Sequence, residues 1–184
     1  MTVIELLIFL AGTAFLAYVS RNALRNPRSH GFYRFIAWEC MLVLVLLNFP
    51  VWTADPFSPK QIVSWVLLAA SIGLAIHAVQ LLKRIGRPSE QRADAELFAF
   101  EKTSLLVTSG AFRYIRHPMY AALLYLAWGA YLKDITPVTT ALVVVASIAL
   151  FITALRDEAE CLQHFGDTYA GYMKTSKRFV PFIF

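Results

Sequence analysis

The chain has 184 residues, of which 58% are hydrophobic and only 16% are charged. Soluble domains carry about 25% charged residues, so this composition excludes an ordinary water-soluble domain or a disordered chain and indicates a membrane protein. The net charge of +5 does not indicate a nucleic-acid partner, because the basic residues lie between apolar runs and form no single patch.

Five apolar runs follow along the chain, at residues 3–20, 35–53, 61–82, 118–132 and 135–155. Each is predicted to be a helix that crosses the lipid bilayer, because about 20 apolar residues span about 30 Å of hydrocarbon. The fourth run is the shortest, and Pro137 closely follows it, so we expect a short span in a tight hairpin with the fifth. The sequence therefore predicts one all-α membrane domain over 1–184, with three spans in 1–82 and a second half in 83–184.

The lysine and arginine residues predict the orientation of these spans. Of the 17, only Lys60 and Lys133 lie in the loops after runs two and four, and the rest lie on the other side. Basic loops stay in the cytoplasm, so the N-terminus is predicted outside and residues 83–117 and 156–184 inside, in a bacterial or archaeal inner membrane. Most of the polar chemistry is expected in these two cytoplasmic segments.

The first of these segments contains TSGAFRYIRHPMY at residues 108–120. Pro118 suits the first turn of a helix and disfavours helical geometry at His117, so His117 is predicted at the N-cap of the fourth span. Free N–H groups then lie beside Arg113, Arg116 and His117 and favour an anion. Contact with lipid phosphates at the interface is the alternative interpretation.

The second segment contains RDEAECLQHFGDTYAGY at residues 156–172 and is predicted to continue the helix of the fifth run. Helical spacing places Glu158, Leu162, Phe165, Tyr169 and Tyr172 on one face. An amphipathic interfacial helix with solvated carboxylates is the alternative. Because Asp157 and Glu158 directly follow an apolar run, these carboxylates are expected to need a cationic partner or ligand.

Together with a closing RFVPF, these motifs resemble the isoprenylcysteine carboxyl methyltransferase family, in the wider group of membrane-integral methyltransferases that includes phospholipid N-methyltransferases. The resemblance covers about residues 83–184. It implies S-adenosylmethionine bound at the cytoplasmic face, in a pocket between the 83–117 segment and the C-terminal helix. The apolar spans imply that the methyl acceptor is lipophilic and enters from the bilayer.

The resemblance also implies roles for individual residues. The expected cofactor-binding residues are Leu106, Val107, Gly110, Arg116, His117, Tyr120, Asp157 and Glu158. Catalytic roles are implied for His117, Glu158 and Arg178, with Arg178 on the acceptor side. The family usually has two glutamates where this chain has Asp157-Glu158. An opening for the acceptor is expected near Tyr120, Tyr125, Phe165, Tyr169 and Phe179.

Methyl transfer from a sulfonium needs alignment and desolvation more than acid or base catalysis, so a short list of site residues is sufficient. An amine acceptor would also need to lose a proton, and His117 or Glu158 would be the candidate base. Glu39 in the second span is expected to reach the interface, and His77 in the third to be an interior histidine.

Several functions remain open at this stage. Carboxyl O-methylation of an isoprenylcysteine-like substrate is the leading interpretation, with phospholipid N-methylation and thiol S-methylation as alternatives. A nicotinamide-dependent membrane reductase would need phosphate-binding residues, and the sequence has no GxGxxG motif. A non-catalytic lipid-binding scaffold would use neither His117 nor Glu158. No metal is assigned, because Cys40, Cys161 and the histidines form no metal-binding motif, and the oligomeric state is left open.

Overall fold

A computed structural model describes residues 3–89 and 96–182; Arg92, one of the basic residues used for the orientation, lies outside this part. Seven α-helices are assigned there: α1 Val3–Val19, α2 Arg21–Leu24, α3 His30–Asn48, α4 Pro59–Arg84, α5 Pro118–Tyr131, α6 Pro137–Phe165 and α7 Asp167–Thr175. Short 3-10 helices occupy Phe49–Val51 and Gly110–Arg113. No β-strand is assigned in the described residues, which confirms the all-α prediction.

Each of the five predicted apolar runs forms a helix. Within residues 3–89 and 96–182, only three helices are long and apolar enough to cross a membrane by themselves. These three are His30–Val51, Pro59–Arg84 and Pro137–Phe165. The helix α1 has 17 residues and α5 has 14, and at 1.5 Å per residue α5 is only about 21 Å long. The number of membrane crossings therefore stays a prediction.

Two extensive helix pairs make up the body of the molecule: α3 packs along α6, and α4 packs along α5. Fully buried alanines lie in the core shared by α3, α5 and α6, among them Ala37, Ala121 and Ala146. Small side chains let helix backbones approach closely, which is how helices gain contact in a lipid environment. By contrast, α1 has no buried residue and packs mainly on α3.

The helices begin where local sequence rules place them. Proline occupies the first turn of α4, α5 and α6, where its missing N–H leaves no helical bond unmade. The Ser58 side chain accepts a bond from the Gln61 N–H at the start of α4, and Thr136 forms a capping box with Thr139 at the start of α6. These caps fix the helix starts on the side of the molecule that is predicted to be outside.

A polar cluster ties α4 to the end of α5 on this same side. Lys133 is 2% exposed, and its Nζ donates to Gln61 Oε1 at 3.0 Å and lies 3.3 Å from the centroid of the Trp65 ring. The Gln61 amide donates back to the Lys133 carbonyl at 3.1 Å. Asn48 at the end of α3 donates to the Ala130 carbonyl at 2.7 Å. The ends of α3, α4 and α5 are thereby joined by hydrogen bonds in a buried setting, where such bonds are strongest.

The prediction of one continuous C-terminal helix is wrong in one respect. The helix α6 ends at Phe165, and Gly166 has φ +54° and ψ −133° before α7 begins at Asp167. A backbone with this positive φ is readily adopted by glycine. Tyr169 and Tyr172 therefore belong to a separate helix and do not extend the face that begins at Glu158.

Candidate functional site

The site is built around His117, which caps the start of α5 as its position before Pro118 predicts. Residues 114–117 run beside the C-terminal segment. The Lys177 N–H donates to the Tyr114 carbonyl at 3.0 Å, and the Arg116 N–H donates to the Lys177 carbonyl at 2.7 Å. A further bond joins the His117 N–H to the Arg178 carbonyl at 3.2 Å. This pairing brings Arg116, His117 and Arg178 to the cytoplasmic end of α6, in the predicted orientation.

Glu158 on α6 is the anion at the centre of this group. Its Oε1 accepts from Arg116 Nε at 2.9 Å and from Arg178 Nε at 3.0 Å, and its Oε2 accepts from Arg178 Nη2 at 2.8 Å. The Glu158 carboxylate also lies 3.2 Å from His117 Nε2 and is almost fully buried. Arg116 further donates to the Met173 and Ser176 carbonyls. Glu158 therefore acts as the common partner of two guanidinium groups and one imidazole.

The imidazole of His117 joins the two neighbouring carboxylates of α6. Its Nδ1 lies 3.3 Å from Asp157 Oδ2, opposite the contact of Nε2 with Glu158. Burial lowers the pKa of His117, but the hydrogen bonds to Asp157 and Glu158 outweigh that effect and raise the pKa above its ordinary value. The ring also stacks on Tyr120, with 5.3 Å between the ring centroids. The charged imidazolium, which donates from both nitrogens, fits this position.

A cavity opens beside His117 and Asp157. Its aromatic and apolar wall comes from the 82–120 region and from α6 and α7, and its polar wall includes the carboxylates of Glu101 and Asp157. Neither lysine nor arginine contributes to its wall within the described residues. Burial raises the pKa of the Tyr172 phenol to about 12 and also raises that of Tyr169, so both phenols stay protonated at neutral pH. The cavity therefore offers negative charge and aromatic faces together.

Five of the predicted site residues line this cavity: Leu106, Val107, His117, Tyr120 and Asp157. Four others lie outside its wall: Gly110, Arg116, Glu158 and Arg178. Gly110 has φ +59° and closes the turn against α4, where the Ala111 N–H donates to His77 Nε2 at 3.3 Å. A Cβ at Gly110 would come within 2.7 Å of that nitrogen. His77 is exposed, so its predicted interior position is wrong.

The structure also brings in residues that the sequence analysis did not select. His30 at the start of α3 lies 2.6 Å from Glu160 through its Nδ1, and its backbone N–H donates to the same carboxylate at 2.9 Å. Potential ligand atoms of His30, Asp157 and Glu160 lie within 4.8 Å of one another, an arrangement that could hold a metal ion. The His30–Glu160 bond already accounts for two of the three residues. No sequence spacing indicates the group, because His30 and Glu160 are 130 positions apart.

Arg34 and Glu101 form a second ion pair that sequence reasoning missed. Arg34 Nη1 donates to Glu101 Oε1 at 2.7 Å, and the Phe98 N–H donates to Glu101 Oε2 at 3.0 Å. Arg34 was assigned to a polar loop because the second apolar run begins at residue 35, yet α3 begins at His30 and includes it. The helix start places this guanidinium in the protein interior, where it is 4% exposed.

Comparison with known proteins gives one family match. The model of the family described as phospholipid methyltransferase matches residues 59–168, which include α4, α5, α6 and both carboxylates next to His117. No curated protein and no solved structure matches the chain significantly. The matched family lies within the membrane-integral methyltransferase group that the motifs resemble. It favours the phospholipid alternative over carboxyl methylation of an isoprenylcysteine.

Proposed function

The chain belongs to the phospholipid methyltransferase family, and we propose that it transfers a methyl group from S-adenosylmethionine to the amino head group of a membrane phospholipid. The observation that carries this proposal is the lining of the cavity beside His117, in which carboxylate oxygens and aromatic rings lie together. Two carboxylates, Glu101 and Asp157, meet aromatic rings there without a lysine or arginine in the described wall. Such a lining suits a cationic ligand with an aromatic base.

The same lining argues against a nicotinamide-dependent reductase. A dinucleotide carries phosphate groups, which proteins bind with arginine, lysine or helix N-termini. The arginines near the cavity are each held by a carboxylate: Arg116 and Arg178 by Glu158, and Arg34 by Glu101. His117 is the one basic side chain in the described wall, and it is shared by two carboxylates.

The residues fit S-adenosylmethionine in charge and in aromatic surface. When bound, this group supplies an electrophilic methyl on a cationic sulfur. Asp157 would contribute negative charge near the cation, while Tyr120 and Tyr169 would contribute ring faces. The cavity volume is about 100 Å³, whereas small-molecule sites have about 300–1,000 Å³, so side chains of its wall must move when a ligand of this size binds.

The acceptor amine must lose a proton, because a protonated ammonium has no electron pair with which to attack the methyl carbon. Glu158, a candidate base in the sequence analysis, is surrounded by two guanidinium groups that stabilise its ionised form. Asp157 lines the cavity, and its carboxylate lies 3.3 Å from His117 Nδ1 and 3.7 Å from Cys161 Sγ, with no guanidinium bonded to it among the described contacts. Because the imidazolium of His117 already carries its proton, we assign the uptake of the proton to the Asp157 carboxylate, which lines the cavity.

The proposal includes the orientation with the N-terminus outside, which places this cavity in contact with the cytoplasm. In a variant without Cys40 and Cys161, a cysteine at Thr175 is expected to be labelled by a membrane-impermeant maleimide only after the membrane is opened. A cysteine at Ser58 is expected to be labelled in intact spheroplasts. The reverse pattern would contradict the orientation.

The activity test uses the purified protein in nanodiscs with radiolabelled S-adenosylmethionine. We expect binding of S-adenosylmethionine but not of NADPH, and transfer of label to phosphatidylethanolamine. Prenylated cysteine and a short alkyl thiol serve as competing acceptors in parallel reactions. Labelling of prenylcysteine alone would support carboxyl O-methylation instead, and labelling of the thiol alone would contradict a lipid acceptor.

A further inference from the structure

An open apolar groove lies between α1, α3 and α5, and its wall includes none of the residues named for the predicted acceptor opening. Every side chain of its wall is apolar or aromatic; the wall consists of Gly12, Phe15, Leu16, Val19, Trp38, Met41, Leu42, Val45, Phe98, Leu123 and Leu126. Its volume is about 620 Å³, which is within the usual range for ligand sites of about 300–1,000 Å³. The groove is thus large enough for a hydrocarbon chain.

The α3 wall of the groove ends at a buried charge. Trp38, Met41 and Val45 line the groove, and Arg34 lies on the same face of α3, one turn before Trp38. At 1.5 Å per residue, Arg34 and Val45 are about 16 Å apart along the helix axis. One leaflet of a bilayer contributes about 15 Å of hydrocarbon. The distance from Arg34 to the far end of the groove therefore matches the depth of one leaflet, with the guanidinium at the end where a lipid head group begins.

The guanidinium of Arg34 has donor capacity that the protein does not use. Its carbon lies 5.1 Å from the Trp38 ring centroid and 4.4 Å from that of Phe98, and both of these rings line the groove. Its Nη1 donates to Glu101, but its Nε is buried and has no hydrogen-bond partner. An unpaired buried donor on a charged group is costly. A phosphate would supply the missing acceptors, because guanidinium binds phosphate through two parallel hydrogen bonds.

The ion pair also connects the groove with the cavity beside His117. Arg34 contacts the groove residues Trp38 and Phe98, whereas its partner Glu101 lines the cavity. A zwitterionic head group has the complementary arrangement, with a phosphate next to the acyl chains and an ammonium beyond it. The Arg34–Glu101 pair therefore presents positive and negative charge in the order that such a lipid needs.

From these contacts we propose that the groove holds an acyl chain of a glycerophospholipid and that Arg34 binds its phosphate, with Glu101 facing the ammonium on the cavity side. The proposal rests on the proposed function, since it assigns the acceptor site of that reaction. It predicts that the phosphate, and not the hydrocarbon chain alone, determines affinity. A lipid that has the same chains but no phosphate is expected to bind much more weakly.

The test uses quenching of Trp38 fluorescence, which needs no methyl transfer. In a variant that retains Trp38 and has phenylalanine at 52, 65 and 128, phosphatidylethanolamine with brominated acyl chains is expected to quench in a saturable manner. Brominated diacylglycerol is expected to need at least about 10-fold higher concentrations, because it lacks the charge-assisted bonds to the guanidinium. If the protein with Arg34 intact binds the two lipids with equal affinity, the proposal is overturned.

Three variants locate the effect at Arg34. Arg34→Gln is expected to weaken phosphatidylethanolamine quenching about 10- to 100-fold and to bring its affinity close to that of diacylglycerol. The double variant Arg34→Gln/Glu101→Gln removes both charges and is expected to weaken phosphatidylethanolamine quenching as much as Arg34→Gln does. Unlike the single variant, it leaves no unpaired carboxylate. Arg28→Gln changes an exposed arginine near the start of the same helix and is expected to have no effect.

A matched protein that retains only Trp128, which is 41% exposed on α5, reports general contact with lipid and is expected to be insensitive to Arg34. Circular dichroism and thermal unfolding of each variant show that the fold is intact. Unchanged Trp38 quenching in folded Arg34→Gln would overturn the site. A protein that binds phosphatidylethanolamine through Arg34 but transfers no methyl group would instead contradict the proposed function and leave this lipid site in place.

Discussion

Replacement of Glu158 by alanine is expected to lower the free energy of unfolding by about 3–5 kcal/mol, which is the usual cost of removing one partner from a buried ion pair. Glu158 is 4% exposed and is the shared acceptor for Arg116, Arg178 and His117. Without it, two guanidinium groups and an imidazole remain close together with no anion at their centre. Denaturant titration in detergent micelles, followed by circular dichroism, measures this change.

Gln163→Ala provides the control, because Gln163 lies on α6 and is exposed. It is expected to change the unfolding free energy by less than about 0.5 kcal/mol. Glu158→Gln keeps two polar atoms but removes the charge, and an intermediate loss is expected. If Glu158→Ala unfolds with the wild-type free energy, the cluster does not hold the C-terminal segment against α6.

Replacement of Asp157 by asparagine is expected to weaken S-adenosylmethionine binding about 10- to 150-fold, the equivalent of about 1.5–3 kcal/mol for a charged contact. Asp157 lines the cavity and is less buried than Glu158, with 20% of its side chain exposed against 6%. His117 neutralises the negative charge of Asp157 only in part. Of the two carboxylates that contact His117, Asp157 is therefore the one that can attract a cationic ligand. Calorimetric titration measures the affinity.

S-adenosylhomocysteine separates the effect of charge from that of shape, since its sulfur is neutral. Asp157→Asn is expected to reduce the affinity for S-adenosylmethionine by a larger factor than that for S-adenosylhomocysteine. Glu160 lies about one turn further along α6, outside the described cavity wall. Glu160→Gln is therefore expected to leave the affinities for both ligands within about 3-fold of wild type. If folded Asp157→Asn binds both ligands with the wild-type affinities, the assignment of Asp157 to the cofactor is contradicted.

Local rules predicted those parts of the site that depend on neighbouring residues. Pro118 restricts the residue before it, and this restriction places His117 at the cap of α5. Apolar length similarly predicted the five helices, because each run had to be buried in lipid or protein.

Contacts between distant segments could not be predicted in this way. Glu158 meets Arg116 from 42 positions earlier and Arg178 from 20 positions later, and only the pairing of the C-terminal segment with residues 114–117 brings them together. The role of Arg34 was missed because charge ended the apolar run, whereas the helix continues through the charged residue to His30. The break at Gly166 was missed because the apolar spacing continues across it.

The uneven attachment of the helices determines which wall of the groove yields most easily. The helices α3, α4 and α5 are joined by buried bonds through Asn48, Gln61 and Lys133, so separating them would leave polar groups unpaired. The helix α1 has no buried residue, and its contact with Glu39 is a single bond from Thr13 at 2.8 Å. Local opening requires least free energy where few buried contacts are lost. The molecule is thus asymmetric: α3, α4 and α5 are cross-linked by buried bonds, and α1 is the side of the groove that can separate at the lowest cost in free energy.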